Sequence, residues 1–200
     1  VSAIFPPEHR RETLSLWVIF FTNVFAIYIF FNWLPTVLSS ANLDFRLAVT
    51  GSHYFNLGGV VGTIVSSVMI GRLGSRKVLI AVGASAVASV IAIAASPAFS
   101  AEIPSDHVSS LMWSMAAAGA CVNALQIGMY AVAAHAYPTF CRSTGVGWSL
   151  AVARFGGIVS SFAGSAFFAL GLMARDFFFF IAGVLAITLI GVIVLRRHIP

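Results

Sequence analysis

Six continuous apolar runs, at about residues 14–38, 47–70, 78–99, 108–136, 145–173 and 177–195, decide what this chain can become. Each approaches or exceeds the roughly 20 residues that a helix needs to cross about 30 Å of hydrocarbon. Lipid offers no partner to backbone N–H and C=O groups, so a spanning segment must satisfy them internally. A barrel would need short strands of alternating polarity, and these runs are apolar throughout. The expectation is an all-α membrane protein: a polar loop at 1–13, then a six-helix transmembrane domain over 14–198. Composition points the same way. Charged residues make up 8% of the chain, about a third of the ~25% usual in soluble domains.

The basic residues sort by side. Arg10, Arg11, Arg72, Arg76, Lys77, Arg142, Arg196 and Arg197 fall on one face of the membrane. Arg46 and Arg175 fall on the other, beside Asp44, Glu102, Asp106 and Asp176. Excess Lys and Arg mark the cytoplasmic side, so both termini are expected in the cytoplasm. The net charge of +5 then needs no nucleic-acid partner. Residues 1–13, with Pro6 and Pro7 ahead of Glu8-His9-Arg10-Arg11-Glu12, are unlike a signal peptide: the apolar run that follows is too long and carries no small-residue cleavage site. No initiator Met is present, which fits either a mature or alternative start or a piece of a larger protein. Cys121 and Cys141 are isolated and imply no disulfide framework.

Connections are short except at 96–107, where Pro97, Glu102, Pro104 and Asp106 mark an external loop between two groups of three helices. Three spans followed by three of inverted topology is a common way to build a transporter half. Within the spans, polar residues recur at helical steps. Ser52, Asn56, Gly59, Thr63 and Ser66 share a face of the second, and Asn123, Gln126 and Tyr130 share one of the fourth. The first adds Asn23, Asn32 and Trp33. Such residues either bind neighbouring helices to one another or line a common cavity. Gly58 and Gly62 form a G-x-x-x-G pair suited to close helix packing.

Arg154 stands apart from all of these. Its nearest charged neighbours along the chain are Arg142 and Arg175. Placing a charge near the centre of a bilayer helix costs about 2.5–3.5 kcal/mol on insertion scales, so such a residue faces a cavity or a partner. It shares a stripe with Gly147, Ala151, Ile158, Ser161 and Ser165.

Three stretches carry a resemblance. Tyr137-Pro138-Thr139-Phe140-Cys141-Arg142-Ser143-Thr144-Gly145-Val146-Gly147-Trp148 resembles the Y-P-T-x-x-R-x-T-G-x-G segment between helices ten and eleven of major facilitator superfamily transporters. Asn32-Trp33-Leu34-Pro35-Thr36 resembles the W-L-P-T that ends helix seven in the aromatic acid:proton symporter branch. Arg154-Phe155-Gly156-Gly157 is similar to the helix-eleven arginine stretch of that branch, twelve residues after the loop arginine. Gly71-Arg72-Leu73-Gly74-Ser75-Arg76-Lys77 resembles a shortened basic loop between helices eight and nine, without its usual Asp-Arg core.

The resemblance covers nearly the whole chain. It implies the C-terminal six helices of a twelve-helix fold, in two inverted three-helix repeats, at a bacterial inner (plasma) membrane. It further implies movement of benzoate- or hydroxybenzoate-like anions with protons by alternating access. The expected substrate site is Arg154, Asn123, Gln126, Tyr130, Asn56, Trp33 and Asn32, and the expected gating and loop residues are Arg142, Gly71, Arg72 and Arg76. A planar guanidinium can hold a carboxylate through two parallel N–H···O bonds, which lysine cannot imitate. Trp33, Tyr130, Trp148 and Phe155 are candidates to stack on a ring.

Proton coupling has no evident carrier. Glu8, Glu12, Asp44, Glu102, Asp106 and Asp176 all lie in loops or flanks, and His53 and His135 lie near span ends. In the resembled family the essential intramembrane acid belongs to the first helix of the other half. The chain is therefore expected to need an N-terminal six-helix half or a second copy of itself.

No cofactor, metal or catalytic residue is expected. A six-helix intramembrane protease would need a histidine within reach of a nucleophilic serine. After Ser149 the chain offers His198, outside the membrane, and it contains no H-E-x-x-H site. Two alternatives to an aromatic-acid symporter remain: a truncated or non-transporting helical subunit that needs a partner, and a major facilitator transporter of another organic anion.

Overall fold

The computed structural model describes residues 7–41, 43–96 and 105–199. Six helices follow in order: α1 (Pro7–Ser40), α2 (Phe45–Leu73), α3 (Ser75–Ala94), α4 (Ser105–Ala136), α5 (Arg142–Ala169) and α6 (Ala174–Val194). All six contain windows long and apolar enough to span a bilayer, and no strand occurs among the described residues. Helix α1 begins at Pro7, inside the stretch expected as a loop. Proline suits a first helical turn, where its missing N–H would have no partner anyway. The expected external loop at 96–107 lies largely outside the described residues, as do residues 1–6.

Helix ends follow local chemistry. Asp44 caps α2 by accepting from the Arg46 amide at 3.1 Å. Asp176 does the same for the start of α6, accepting from the Met173 amide at 3.1 Å. Gly74, at φ 79°, separates α2 from α3, and Gly171, at φ 67°, turns the chain from α5 towards α6. Both angles lie where only glycine sits without strain.

The packing is a repeat. Helix α2 packs most extensively on α4, α1 on α5, and α3 on α6. Exchanging α1–α3 for α4–α6 turns the α2/α4 pair into α5/α1, and α1/α6 into α4/α3, while α3/α6 maps onto itself. Both members of each exchanged pair are present. The internal repetition expected from helix count and loop length is thus carried in the contacts.

Glycines make the two main contacts close. A Cβ on Gly58 or Gly62 would run into the Ala116 or Ala120 carbonyl of α4, and one on Gly119 into the Phe55 carbonyl of α2. The matching α1/α5 contact sets Gly156 against the Phe21 carbonyl. The core between them is aromatic and aliphatic, with Phe30 stacked on Phe55 at 4.6 Å. A buried hydroxyl pair, Thr22 and Thr188 at 2.8 Å, joins α1 to α6.

At one end of the bundle the residues after α6 tie four helices together. The Arg196 amide donates to Glu12 of α1 at 3.3 Å, and the Arg197 guanidinium to the Ala136 carbonyl of α4 at 3.1 Å. Ile199 closes a two-way bond with Ser75 of α3: the Ser75 amide donates to its carbonyl at 2.9 Å, and its own amide donates to Ser75 Oγ at 2.8 Å. His198 Nε2 donates to the Leu195 carbonyl at 2.9 Å. Burial holds the His198 imidazole below its ordinary pKa, and the Arg76 charge adds to that.

A lowered folded-state value means that the tail is docked with a neutral ring. The contribution is complete above the ordinary value of about 6.5 and is lost as pH falls through it towards the folded value. A spin label at residue 199 should therefore become more mobile on going from a pH well above the ordinary value of about 6.5 to one well below it, and should lose that response in His198→Gln. Equal mobility at both pH values in the native chain would contradict the docked neutral ring.

Candidate functional site

Arg154 lies about 18 Å along α5, a helix about 42 Å long at 1.5 Å per residue. The stripe of Gly147, Ala151, Arg154, Ile158, Ser161 and Ser165 is exposed at all six positions. By contrast, Gly145, Ser149, Ala153, Gly156, Gly157, Ser160 and Gly164 are buried on the opposite side. Helix α5 therefore packs its small residues against α1 and leaves its guanidinium on an uncovered face. Among the described residues no hydrogen bond or ion pair engages Arg154.

Beside it is a cleft of about 340 Å³ between α1, α4 and α5. Each helix contributes residues at one-turn spacing: Val24, Ile27 and Tyr28 from α1, Asn123, Gln126 and Tyr130 from α4, and Leu150, Ala153 and Arg154 from α5. The volume falls at the lower end of the 300–1,000 Å³ usual for small-molecule sites. One charge, two amides and two phenols in otherwise apolar walls suit a small, largely apolar anion. Tyr130 is braced by Phe20, ring to ring at 5.5 Å.

The amides are ordered from behind. Asn123 Nδ2 donates to the Gly119 carbonyl one turn earlier at 2.9 Å. Asn23, fully buried on α1, donates through Nδ2 to Gln126 Oε1 at 2.7 Å. Gln126 Nε2 and Asn23 Oδ1 are buried and have no hydrogen-bond partner among the described residues. An unmet buried polar group costs about 1–3 kcal/mol.

Of the expected substrate residues, Arg154, Asn123, Gln126 and Tyr130 meet in this cleft. The others sit elsewhere. Asn56 is exposed on α2 and donates to the Ser52 carbonyl of its own helix at 2.8 Å. Asn32 donates to Ser161 Oγ at 3.1 Å, linking α1 to α5. Trp33 packs on Phe168 at 5.5 Å and lies over Gly164. Trp148 pairs with Trp17 at 6.1 Å and borders a separate recess with Ser143, Thr144, Gly147 and Ala151. Of the loop residues, Arg142 donates from Nε to the Tyr137 carbonyl at 3.4 Å, while Gly71, Arg72 and Arg76 are exposed. Asn23 and Tyr28 are the polar residues that the expected site lacked. Tyr28 lies one turn after Val24, a spacing that could have flagged it.

Comparison with known proteins gives this geometry a context. No family model matches the chain. It is 35% identical over 172 residues to a gallate transporter of Pseudomonas putida, covering 84% of this chain and 36% of that protein. It is 28% identical over 170 residues to the 4-hydroxybenzoate transporter PcaK of Pseudomonas aeruginosa, covering 85% of this chain and 36% of that protein. The chain thus spans about a third of the length of these relatives. In structure it superposes on a peptide transporter, POT, with a TM-score of 0.69 over 90% of this chain and 37% of that one, at 18% identity.

The described residues form a six-helix half of a major facilitator fold, and in sequence the chain is similar to aromatic-acid transporters. The exchange symmetry of α1–α3 with α4–α6 is the inverted repeat of that fold. These relatives are transporters, not enzymes.

Two helices of this major facilitator half remain largely uncovered. Only 22% of the spanning window of α2 and 28% of that of α5 is buried, against 61% in α1. Large apolar residues, among them Leu57, Val61, Ile64, Phe155, Ile158 and Phe162, are exposed along them.

Proposed function

We propose that the chain forms one half of a secondary transporter for small aromatic carboxylates, and that the α1/α4/α5 cleft is its part of the substrate site. The observation that carries this is Arg154: a guanidinium at mid-depth, without a counter-ion among the described residues, beside a cleft lined by Tyr28 and Tyr130. An anion would supply the missing charge through a bidentate bond, and the apolar walls would hold its ring. The names of the relatives, gallate and 4-hydroxybenzoate transporters, support this substrate class.

In this reading the second half covers the exposed faces of α2 and α5, closes the cleft and supplies the proton carrier. Alternating access then follows from rocking of the halves about the site. In this reading the protein lies in a bacterial inner membrane with both ends of the chain on the cytoplasmic side, the side its basic loops favour.

Reconstitution into proteoliposomes tests the division of labour. With an inward proton gradient the native full-length protein should accumulate labelled 4-hydroxybenzoate, and a protonophore should abolish the uptake. The 200-residue chain alone should show none. Accumulation by the chain alone would overturn the need for a second half, and lack of accumulation by the native protein would overturn the transport assignment.

A further inference from the structure

The α4 wall of the cleft is built for more than a carboxylate. Asn123 spends one amide N–H on the Gly119 carbonyl, which fixes its orientation, since a carbonyl can only accept. Its Oδ1 therefore remains as an acceptor in the wall. Gln126 is oriented differently. Its Oε1 is held from behind by Asn23 Nδ2, and its Nε2 remains as an unspent donor on a side chain only 8% exposed. The two residues are three apart on one helix and share a face. Together they set an acceptor in the wall beside a buried donor that has no other partner among the described residues.

A carboxylate accepts hydrogen bonds but has no proton for Asn123 Oδ1. A hydroxyl does both, with one O–H to donate and two lone pairs to accept. We propose that Asn123 and Gln126 form a hydroxyl-recognition subsite for a hydroxylated aromatic acid whose carboxylate is held by Arg154. Asn23 is the positioning residue that fixes the Gln126 amide. This deepens the cleft assignment above and rests on it. It makes the same cleft selective: the phenolic O–H donates to Asn123 Oδ1 while its oxygen accepts from Gln126 Nε2. An unsubstituted ring would leave both amides unmet.

The test is a comparison of dissociation constants for benzoate, the three hydroxybenzoate isomers and the corresponding methoxybenzoates, on the native full-length protein. At least one hydroxybenzoate should bind about tenfold tighter than benzoate, as expected for hydrogen bonds to buried partners. Its methyl ether, which cannot donate, should lose most of that advantage without any change to the protein. Gln126→Leu and Asn123→Leu should each reduce the hydroxybenzoate-to-benzoate ratio severalfold. Asn23→Leu, which does not touch ligand, should reduce the same ratio, a change that a purely structural role would not produce.

Equal binding of benzoate and all three hydroxybenzoates by the native protein would overturn the subsite, as would a methyl ether that binds as well as the phenol. If benzoate binds and Arg154→Lys weakens every acid alike, the carboxylate assignment stands whatever the ratio does. If the native protein binds none of the acids, both assignments fall together.

Discussion

Replacing Arg154 by lysine should weaken aromatic-carboxylate binding by about 1–3 kcal/mol, the range for a hydrogen bond to a charged group and its loss. The charge is kept, so what disappears is geometry: two parallel N–H donors in a rigid fork become one flexible ammonium. Arg154 is exposed and engages no other described residue, so the fold should scarcely notice. Substitutions at such positions usually shift stability by no more than about 0.5 kcal/mol. Calorimetric titration of the native full-length protein and its variant, with thermal melting as the companion measurement, separates the two effects. Unchanged affinity would rule out bidentate capture. A large fall in melting temperature would show that the guanidinium holds the protein together.

The second large effect is expected at the α2/α4 contact. A methyl group on Gly119 would overlap the Phe55 carbonyl, and the obstacle is backbone, which cannot rotate aside. The helices must separate or bend. Overpacking of this kind typically costs about 1–3 kcal/mol and sometimes more, so Gly119→Ala should lower the melting temperature in detergent clearly. Gly156→Ala, at the symmetry-related contact with the Phe21 carbonyl, should do the same. Gly147→Ala is the control. Nothing lies within 4 Å of its would-be Cβ, and exchanging glycine for alanine in a helix gains up to about 1 kcal/mol. If Gly119→Ala melts like Gly147→Ala, the close approach of α2 and α4 is not what holds them.

The six helices were legible because lipid removes the usual ambiguity: an apolar run of that length has one backbone solution. Their limits were less so. Hydropathy marks where lipid contact begins, whereas α1 continues to Pro7 because a helix can extend beyond the apolar region. Arg154 was legible for a similar reason, since its placement makes sense only beside a cavity or partner.

Asn56 shows the limit of periodicity. Its helical spacing with Ser52, Gly59 and Thr63 is real, yet it lies outside the α1/α4/α5 cleft, with Nδ2 donating to the Ser52 carbonyl of its own helix. Asn23 shows the converse. Its pairing with Gln126 depends on the depth at which α1 crosses α4, and no local pattern in either helix encodes that depth. The inverted repeat, by contrast, was expected from helix count, loop length and the resemblance, and the structure carries it in its contacts.

The clasp between Ile199 and Ser75 has a practical bearing on how this molecule is handled. A reporter joined to the chain directly after residue 199 would tug on a knot joining the starts of two helices to the finishes of two others. Several flexible residues inserted before the reporter should spare that knot, so melting curves recorded with and without the spacer will tell whether a tagged preparation still represents the untagged one.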